Sequence, residues 1–516
     1  MFGASEGKLR SFAKDARGNV ALLFAFSLVP LLIGVGVAVD YGRALIVRER
    51  MNDAADAAAL AIGSWPGLTQ DDLRTKAQQF FDANYPPTSL GTVGKLNVNF
   101  IGDEKITVTV SGMVPTTFMQ LANINSVDVG AASTINKKER NIEVVLVLDI
   151  TGSMNSGGKL SAMKNAATKM VDTLFDGKST SDSLKIGVVP YSGAVNVGTD
   201  KRNSGWIDTA TFPNNSAIAK EDFAFILGQS AFTLLNDLGE DWSGCVRERA
   251  EPYELTDDPP GATAATKWAP YFAPDEPNTS NSSCNTNYTN SYIRDGSLWL
   301  TAICPQLSDT SNAAKRQCFT GKYQNSNSCS QGTGPDHNCP PSKVLGMTNV
   351  KSTITNKING LSASGYTVIP AGLVWGLRVI SPGEPFTEGA PYDDDKWVKA
   401  IVLLTDGDND VNGGSNGINK SDYNAFGYSK SGHLGNINGT SAESTLDAKT
   451  LAVCGVIKSK QIQLYTIGFQ VSSKAQNLLR ACASKSDMYY NSPSNDQLAA
   501  IFQDIAQGLS ELRIAQ

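Results

Sequence analysis

Apolar and polar positions divide the chain into stretches of unlike pattern. Residues 1–17 are polar and carry Lys8, Arg10, Lys14 and Arg17; the next residues, 18–39, hold no charge. A helix rising roughly 1.5 Å per residue crosses a hydrocarbon core of about 30 Å in that length. Pro30 lies inside the span and should kink it. The following block, DYGRALIVRERMNDAADAAALAIG, is rich in alanine and long charged residues, so the helix should continue outward for several turns. A second helix is predicted over 71–84, stopped by Pro86. Alternating strands LNVNFIG and KITVTVSGMV, a short helix TTFMQLAN and a strand SVDVGAASTI complete a small α+β unit. Together 40–136 read as a stalk helix with that unit, and Lys137, Lys138, Glu139 and Arg140 make a charged linker.

Beyond the linker the period changes. The run IEVVLVLD, residues 142–149, is continuously apolar and β-branched, as suits a strand buried on both faces. A helix at about 159–176 and a strand LKIGVVPYSG follow. After a long interruption come helices at VKSTITNKINGL and 369–380, then the strand AIVLLTDG. Helix, strand, helix, short strand and helix close the chain, which is the alternation of a parallel α/β sheet. The interruption, about 200–345, is rich in Asn, Ser, Thr, Pro and Asp, with scattered aromatics such as Trp206, Trp242, Trp268, Tyr271 and Trp299. A segment of that length without clear periodicity is normally functional or disordered.

The strand at 142–149 ends in Asp149, with Thr151 and Ser153 in the next loop. Parallel sheets bind ligands beyond the carboxyl ends of their strands. Alternating oxygens there can converge on a hard cation such as Mg²⁺. The strand AIVLLTDG also ends in an acid, Asp406, and the turn Gly365-Tyr366-Thr367 opens the helix at 369–380, which Thr367 should cap. These motifs resemble the metal-ion-dependent adhesion site of von Willebrand factor A domains, written D-x-S-x-S, then a threonine at a G-x-T turn, then an aspartate after a later strand. The resemblance implies a Rossmann-like, doubly wound domain over 141–513 and a divalent-cation site made by Asp149, Thr151, Ser153, Thr367 and Asp406. Mg²⁺ is the first choice, with Mn²⁺ or Ca²⁺ as alternatives. Thr151 stands where that family usually has serine; it keeps the hydroxyl and adds a methyl group. Asp406, Asp408 and Asp410 alternate like the start of a calcium loop, but Val411 stands where an EF-hand needs glycine, so a solvated loop is expected.

Composition narrows the function classes. The formal net charge of −6 argues against nucleic acid as a partner. His337 and His433 are the two histidines, both in polar loop contexts, and no nucleophile–base pair or G-x-S-x-G elbow appears, so no enzyme is expected. Six of the eight cysteines lie between Cys245 and Cys339 without a C-x-x-C pair, which favours disulfides in an oxidising compartment over zinc. Cys454 and Cys482 fall on helices flanking one strand and should pair. The residues after 40 therefore belong outside the cytoplasm, with the basic N-terminus inside. A cleaved signal peptide would need an A-x-A site, which the end of the apolar run lacks.

The N-terminal stretch RGNVALLFAFSLVPLLIGVGVAVD with the alanine-rich block resembles TadG-like proteins of the tight-adherence, or Flp, pilus assembly machinery, closely over 16–62. That family commonly carries a C-terminal von Willebrand A-like domain. The resemblance implies a single-pass protein of the bacterial inner membrane. It would meet pilus-assembly or pilin-like proteins through its membrane-proximal helix, and an acidic protein or surface ligand at the metal site. The alternative role is a structural, minor-pilin-like subunit. A prepilin would carry glutamate five residues beyond the processing glycine; here that residue is Leu23.

Overall fold

The computed structural model describes residues 16–63, 69–86, 89–101, 105–136, 140–209, 229–279, 284, 288–301, 311–324, 328–329, 333–412, 417–430, 432–435 and 439–514. Most of the basic N-terminal segment, the linker residues Lys137–Glu139 and Cys304 lie outside them. The chain forms two compact units, residues 1–139 with 514–516, and residues 140–513.

In the first unit, helix α1 (Ala16–Gly63) runs unbroken through Pro30, so the span and the alanine-rich block are one helix. Its first part is bare: Leu23, Phe24, Phe26 and Leu31 are each more than 60% exposed. Its second part buries Ala44, Val47, Met51, Ala54, Ala55, Ala58, Ala59 and Ile62, a stripe recurring every three or four residues. Small side chains there let neighbouring elements approach closely. Helix α2 (Gln70–Asn84) packs Leu73, Ala77 and Phe81 into the same core. Its Thr69 cap takes the Asp72 N–H, and Pro86 follows its end. Four antiparallel strands, β1 (Thr92–Val93), β2 (Asn97–Ile101), β3 (Lys105–Pro115) and β4 (Ser126–Asn136), complete the unit. Strand β3 is central, pairing with β1 and β2 and along its whole length with β4. The alanine stripe is thus covered by the chain's own sheet and α2.

The second unit is built on a six-stranded sheet. Its strands are β5 (Asn141–Asp149), β6 (Leu184–Tyr191), β9 (Leu345–Thr348), β10 (Trp397–Thr405), β11 (Gln463–Phe469) and β12 (Tyr489–Ser492), in the order β12-β11-β10-β5-β6-β9. All pairs are parallel except β6 with the edge strand β9. On β5, Val145 and Val147 face one side, while Ile142, Val144, Leu146 and Leu148 face the other. Both sets are fully buried, which is why the strand reads as one apolar run. Helices α3 (Lys159–Phe175), α6 (Lys351–Asn359) and α10 (Asn495–Ile514) cover the second side. Helices α7 (Ile369–Ile380), α8 (Gly439–Ser459) and α9 (Ser473–Cys482) cover the first. Cys454 on α8 and Cys482 on α9 form the expected disulfide. The second unit is thus a doubly wound α/β domain, and the chain as a whole is mixed α/β.

The insertion is a folded cover over α7. It begins at the paired strands β7 (Val195–Asn196) and β8 (Cys245–Val246) and includes helices α4 (Ala231–Leu238) and α5 (Asn312–Cys318). Disulfides join Cys245 to Cys339 and Cys284 to Cys329, and Cys318 is also disulfide-bonded. Its aromatics turn inward: Trp268 lies 5.3 Å from Trp375 of α7, ring centre to ring centre. Its charges are paired inside. Lys322 Nζ donates to Asp275 Oδ2 at 2.7 Å and Asp295 Oδ1 at 3.1 Å, all three fully buried. Arg378 of α7 reaches Glu248 at 2.6 Å. Among the described residues of the insertion, part of the polar composition goes into these internal ion pairs.

Candidate functional site

Strands β5 and β10 are neighbours in parallel register, Leu148 beside Leu404, so their carboxyl ends deliver Asp149 and Asp406 to one edge. From that edge β5 leads to α3 on one side of the sheet, and β10 leads to α8 on the other. This divergence is the topological switch point, where open α/β sheets leave a crevice for a ligand.

The Asp149 loop is fixed by its own hydrogen bonds. The Thr151 N–H donates to Asp149 Oδ1 at 2.9 Å, and the Thr405 hydroxyl donates to Oδ2 at 2.8 Å. The hydroxyls of Thr151 and Ser153 lie 3.0 Å apart. Ser153 Oγ donates to Asp406 Oδ1 at 2.6 Å, which links the first motif to the second across 253 residues of sequence. Gly365 adopts φ +79°, the left-handed region that glycine tolerates, and its carbonyl accepts the Gly152 N–H at 2.9 Å. The Thr367 carbonyl accepts the Asp410 N–H at 2.8 Å. Thr367 Oγ1 sits 3.8 Å from where a Cβ on Gly407 would be. All five sequence-predicted residues thus border one small region, with Asp149, Thr151, Thr367 and Asp406 buried and Ser153 exposed.

Thr367 does not cap α7. The cap residue is Val368, without a side-chain bond, and the Ile369 N–H goes to Asn409 Oδ1 at 2.9 Å. The long loop after β10 supplies that acceptor, which leaves the Thr367 hydroxyl out of the capping role. Asp408 and Asp410 turn elsewhere: Asp408 takes the Ser472 hydroxyl at 2.8 Å, and Asp410 the Asn412 N–H at 2.7 Å. Among the described residues no three His, Cys, Asp or Glu side chains gather as a metal-holding group. Both histidines have other partners; His433 lies 2.8 Å from Glu254 of the insertion and His337 2.6 Å from Thr333.

The electrostatics of the edge are unbalanced. Burial first, and the neighbouring Asp406 second, push the Asp149 carboxyl up to about 6. Lys159 supplies a positive charge, with Nζ at 2.9 Å from Asp406 Oδ2. The motif reading missed Lys159, Thr405 and Asn409. Lys159 opens a helix that contains further lysines, so its sequence context looked like ordinary solvated surface. A cleft of about 580 Å³ lies beside the Thr367 turn, lined by Tyr366, Gly365 and Ser364 and by Thr333, His337 and Asn338 of the insertion.

Residues 18–63 match the family described as "Putative Flp pilus-assembly TadE/G-like". No curated protein matches the chain. Among solved structures, the pilus adhesin SpaC from Lactobacillus rhamnosus GG is 13% identical, with a TM-score of 0.33, over 82% of this chain and 35% of that one. The von Willebrand factor domain of the type V pili tip protein Mfa5 from Porphyromonas gingivalis is 10% identical, with a TM-score of 0.33, over 73% and 97%. Proximal thread matrix protein 1 from the mussel byssus, solved with a zinc-occupied MIDAS motif, is 12% identical, with a TM-score of 0.29, over 73% and 47%. This chain therefore spans about a third of SpaC and under half of the mussel protein. The long apolar helix thus carries a TadE/G-like pilus-assembly match over residues 18–63, and the second unit is a doubly wound α/β domain with a crevice at its switch point.

Proposed function

We propose that this protein is a single-pass anchor of the bacterial inner membrane, held by residues 18–39 with its N-terminus in the cytoplasm. Its A-type domain would bind an acidic group of a partner or surface polymer through a divalent cation. The observation that carries this reading is the convergence of Asp149, Thr151, Ser153, Thr367 and Asp406 at the switch point. The donor set fits a hard cation: two carboxylates and three hydroxyls, with no sulfur or imidazole. The raised Asp149 carboxyl also fits, because two neighbouring buried acids are under-neutralised by one lysine. Mg²⁺ is the preferred ion, and when bound it would supply an open position for a carboxylate. With Lys159 present the loaded site carries net positive charge, which favours an anionic ligand. Roles in pilus assembly rest on the N-terminal match; partner helices would meet exposed positions of α1 such as Tyr41, Leu45, Ile46 and Leu60. The role is binding rather than catalysis.

A pulldown from cell-surface extracts with the solubilised protein, with and without chelator, tests the reading. Retention that needs the cation and disappears in Asp149→Ala supports it; retention unchanged by both rejects it. A second role, as a minor-pilin-like subunit, draws on the 48-residue helix with a small sheet packed on its outer half. Recovery of the protein in sheared pili, rather than in membranes, would favour it.

A further inference from the structure

The turn between β3 and β4, residues Thr116–Asn125, touches α1 at the level where its uncharged run ends. Asp40, the first charged residue after that run, accepts the N–H groups of Thr117, Phe118 and Met119 at 2.7–3.1 Å. The Asp40 carboxylate is buried by these contacts. Arg43 adds a bond to the Thr117 hydroxyl at 2.9 Å. A Cβ at Gly36 would lie 2.5 Å from the Phe118 Cβ, so the ring of residue 118 occupies a notch that only glycine leaves open. Gly36 is one helical turn, about 6 Å, inside Asp40 on the apolar side.

The geometry of the hairpin explains this reach. A Cβ at Gly63 would meet Ile135 near the far end of β4, while Gly36 meets Phe118 at the turn. The helix between these glycines is about 40 Å long. The eleven-residue β3 spans about 35 Å and its turn covers the rest. The hairpin therefore lies back along α1 until its tip passes the charge boundary. That tip is apolar and bare: Phe118 is 45%, Leu121 80% and Ile124 43% exposed. Several of its backbone groups are bonded within the turn. The Thr116 N–H bonds the Asn125 carbonyl at 3.1 Å, the Ile124 N–H bonds the Met119 carbonyl at 3.1 Å, and the Thr116 hydroxyl bonds the Ile124 carbonyl at 2.5 Å. A backbone so closed can enter an apolar medium at little cost, and an exposed leucine gains by doing so.

We propose that the β3–β4 tip is a lipid-contacting wedge, with Phe118, Leu121 and Ile124 seated in the outer boundary of the bilayer beside α1. The continuity of the tip with the uncharged run selects the membrane as occupant over a protein partner. The proposal rests on the membrane-anchor reading of α1. Its consequence is orientation: α1 alone would leave the unit free to spin and tilt, whereas a second insertion point fixes its pose.

Spin labels on the full chain in phosphatidylethanolamine–phosphatidylglycerol vesicles test it. No cysteine is free among the described residues, so single introduced thiols can be labelled. Labels would be placed at Leu121→Cys, at Phe24→Cys within the span and at Asn97→Cys on the exposed face of β2. Power saturation with oxygen and with nickel-EDDA then reports depth. The expected result is severalfold preference for oxygen at Leu121→Cys, approaching Phe24→Cys, with the reverse at Asn97→Cys. A nickel-accessible label at Leu121→Cys with a membrane-buried Phe24→Cys overturns the wedge alone. A Leu121→Cys label shielded from both reagents means a protein covers the tip and also overturns it. A nickel-accessible Phe24→Cys overturns the anchor itself and the wedge with it.

Discussion

Lys159 sits where charge at the sheet edge is decided. Its ammonium balances one of two buried acids, so under the proposed reading it would compete with a cation for Asp406 and then add to the field felt by an anionic ligand. Lys159→Gln should tighten Mg²⁺ binding severalfold and weaken an acidic ligand, which titration calorimetry of each step would read. Equal affinities in variant and wild type would remove Lys159 from the site's electrostatics. A different buried acid sets a pH response. Burial raises Glu276 to about 7, against bonds from Asn419 and Asn290 that hold its ionised form. The folded chain then holds a proton that the unfolded chain releases near 4.5, so the Glu276 contribution to stability falls as pH rises from about 4.5 to about 7. The full effect is of the order of 3 kcal/mol. Denaturant melts at pH 5 and pH 8 should show that slope, and Glu276→Gln should flatten it.

At the scale of elements, legibility followed burial pattern. Strands β5 and β10 were readable because both faces are covered, which leaves uninterrupted apolar runs ending at Asp149 and Asp406. The edge strand β9, LGMT, has four residues and no alternation, so nothing in its composition announced it. Thr367 borders the Asp406 loop but does not take the capping task its sequence position suggests, since Asn409 arrives from a distant loop to serve α7. Disulfide pairing across β11 was legible from helix placement alone. Cys454→Ser with Cys482→Ser should cost about 3 kcal/mol, as expected for a closed loop of this size, and lower the Tm without loss of cation binding. The ion pairs inside the insertion were illegible, because Lys322, Asp275 and Asp295 stand in polar sequence with no pattern that links them. Lys322→Ala would leave the buried Asp275 without its cation, while Asp295 keeps Arg316 at 3.6 Å, and should destabilise the insertion by about 3–5 kcal/mol. Differential hydrogen exchange over residues 268–296 would detect it; unchanged protection would contradict the role given to the triad.

On the scale of the whole molecule, two units divide the work. The first unit pairs a long apolar helix with a sheet that wraps its outer half, and the second carries a ligand crevice at its switch point. The insertion's contribution is twofold. It covers α7, and its residues Thr333, His337 and Asn338 line the cleft beside the Thr367 turn, where a ligand's neighbouring groups would rest. Sequence patterning revealed that insertion and its position between the early strands and the Thr367 turn, near the Asp149 edge, but not its fold, which depends on contacts between residues far apart in the chain. The central claim is that five side chains, on three separated segments, hold one divalent cation. Anomalous diffraction from crystals of the protein grown with Mn²⁺ tests it most directly. The account predicts a single strong peak bounded by Asp149, Thr151, Ser153, Thr367 and Asp406, absent in Asp149→Ala crystals. Fully ordered side chains at that edge with no peak between them would contradict it.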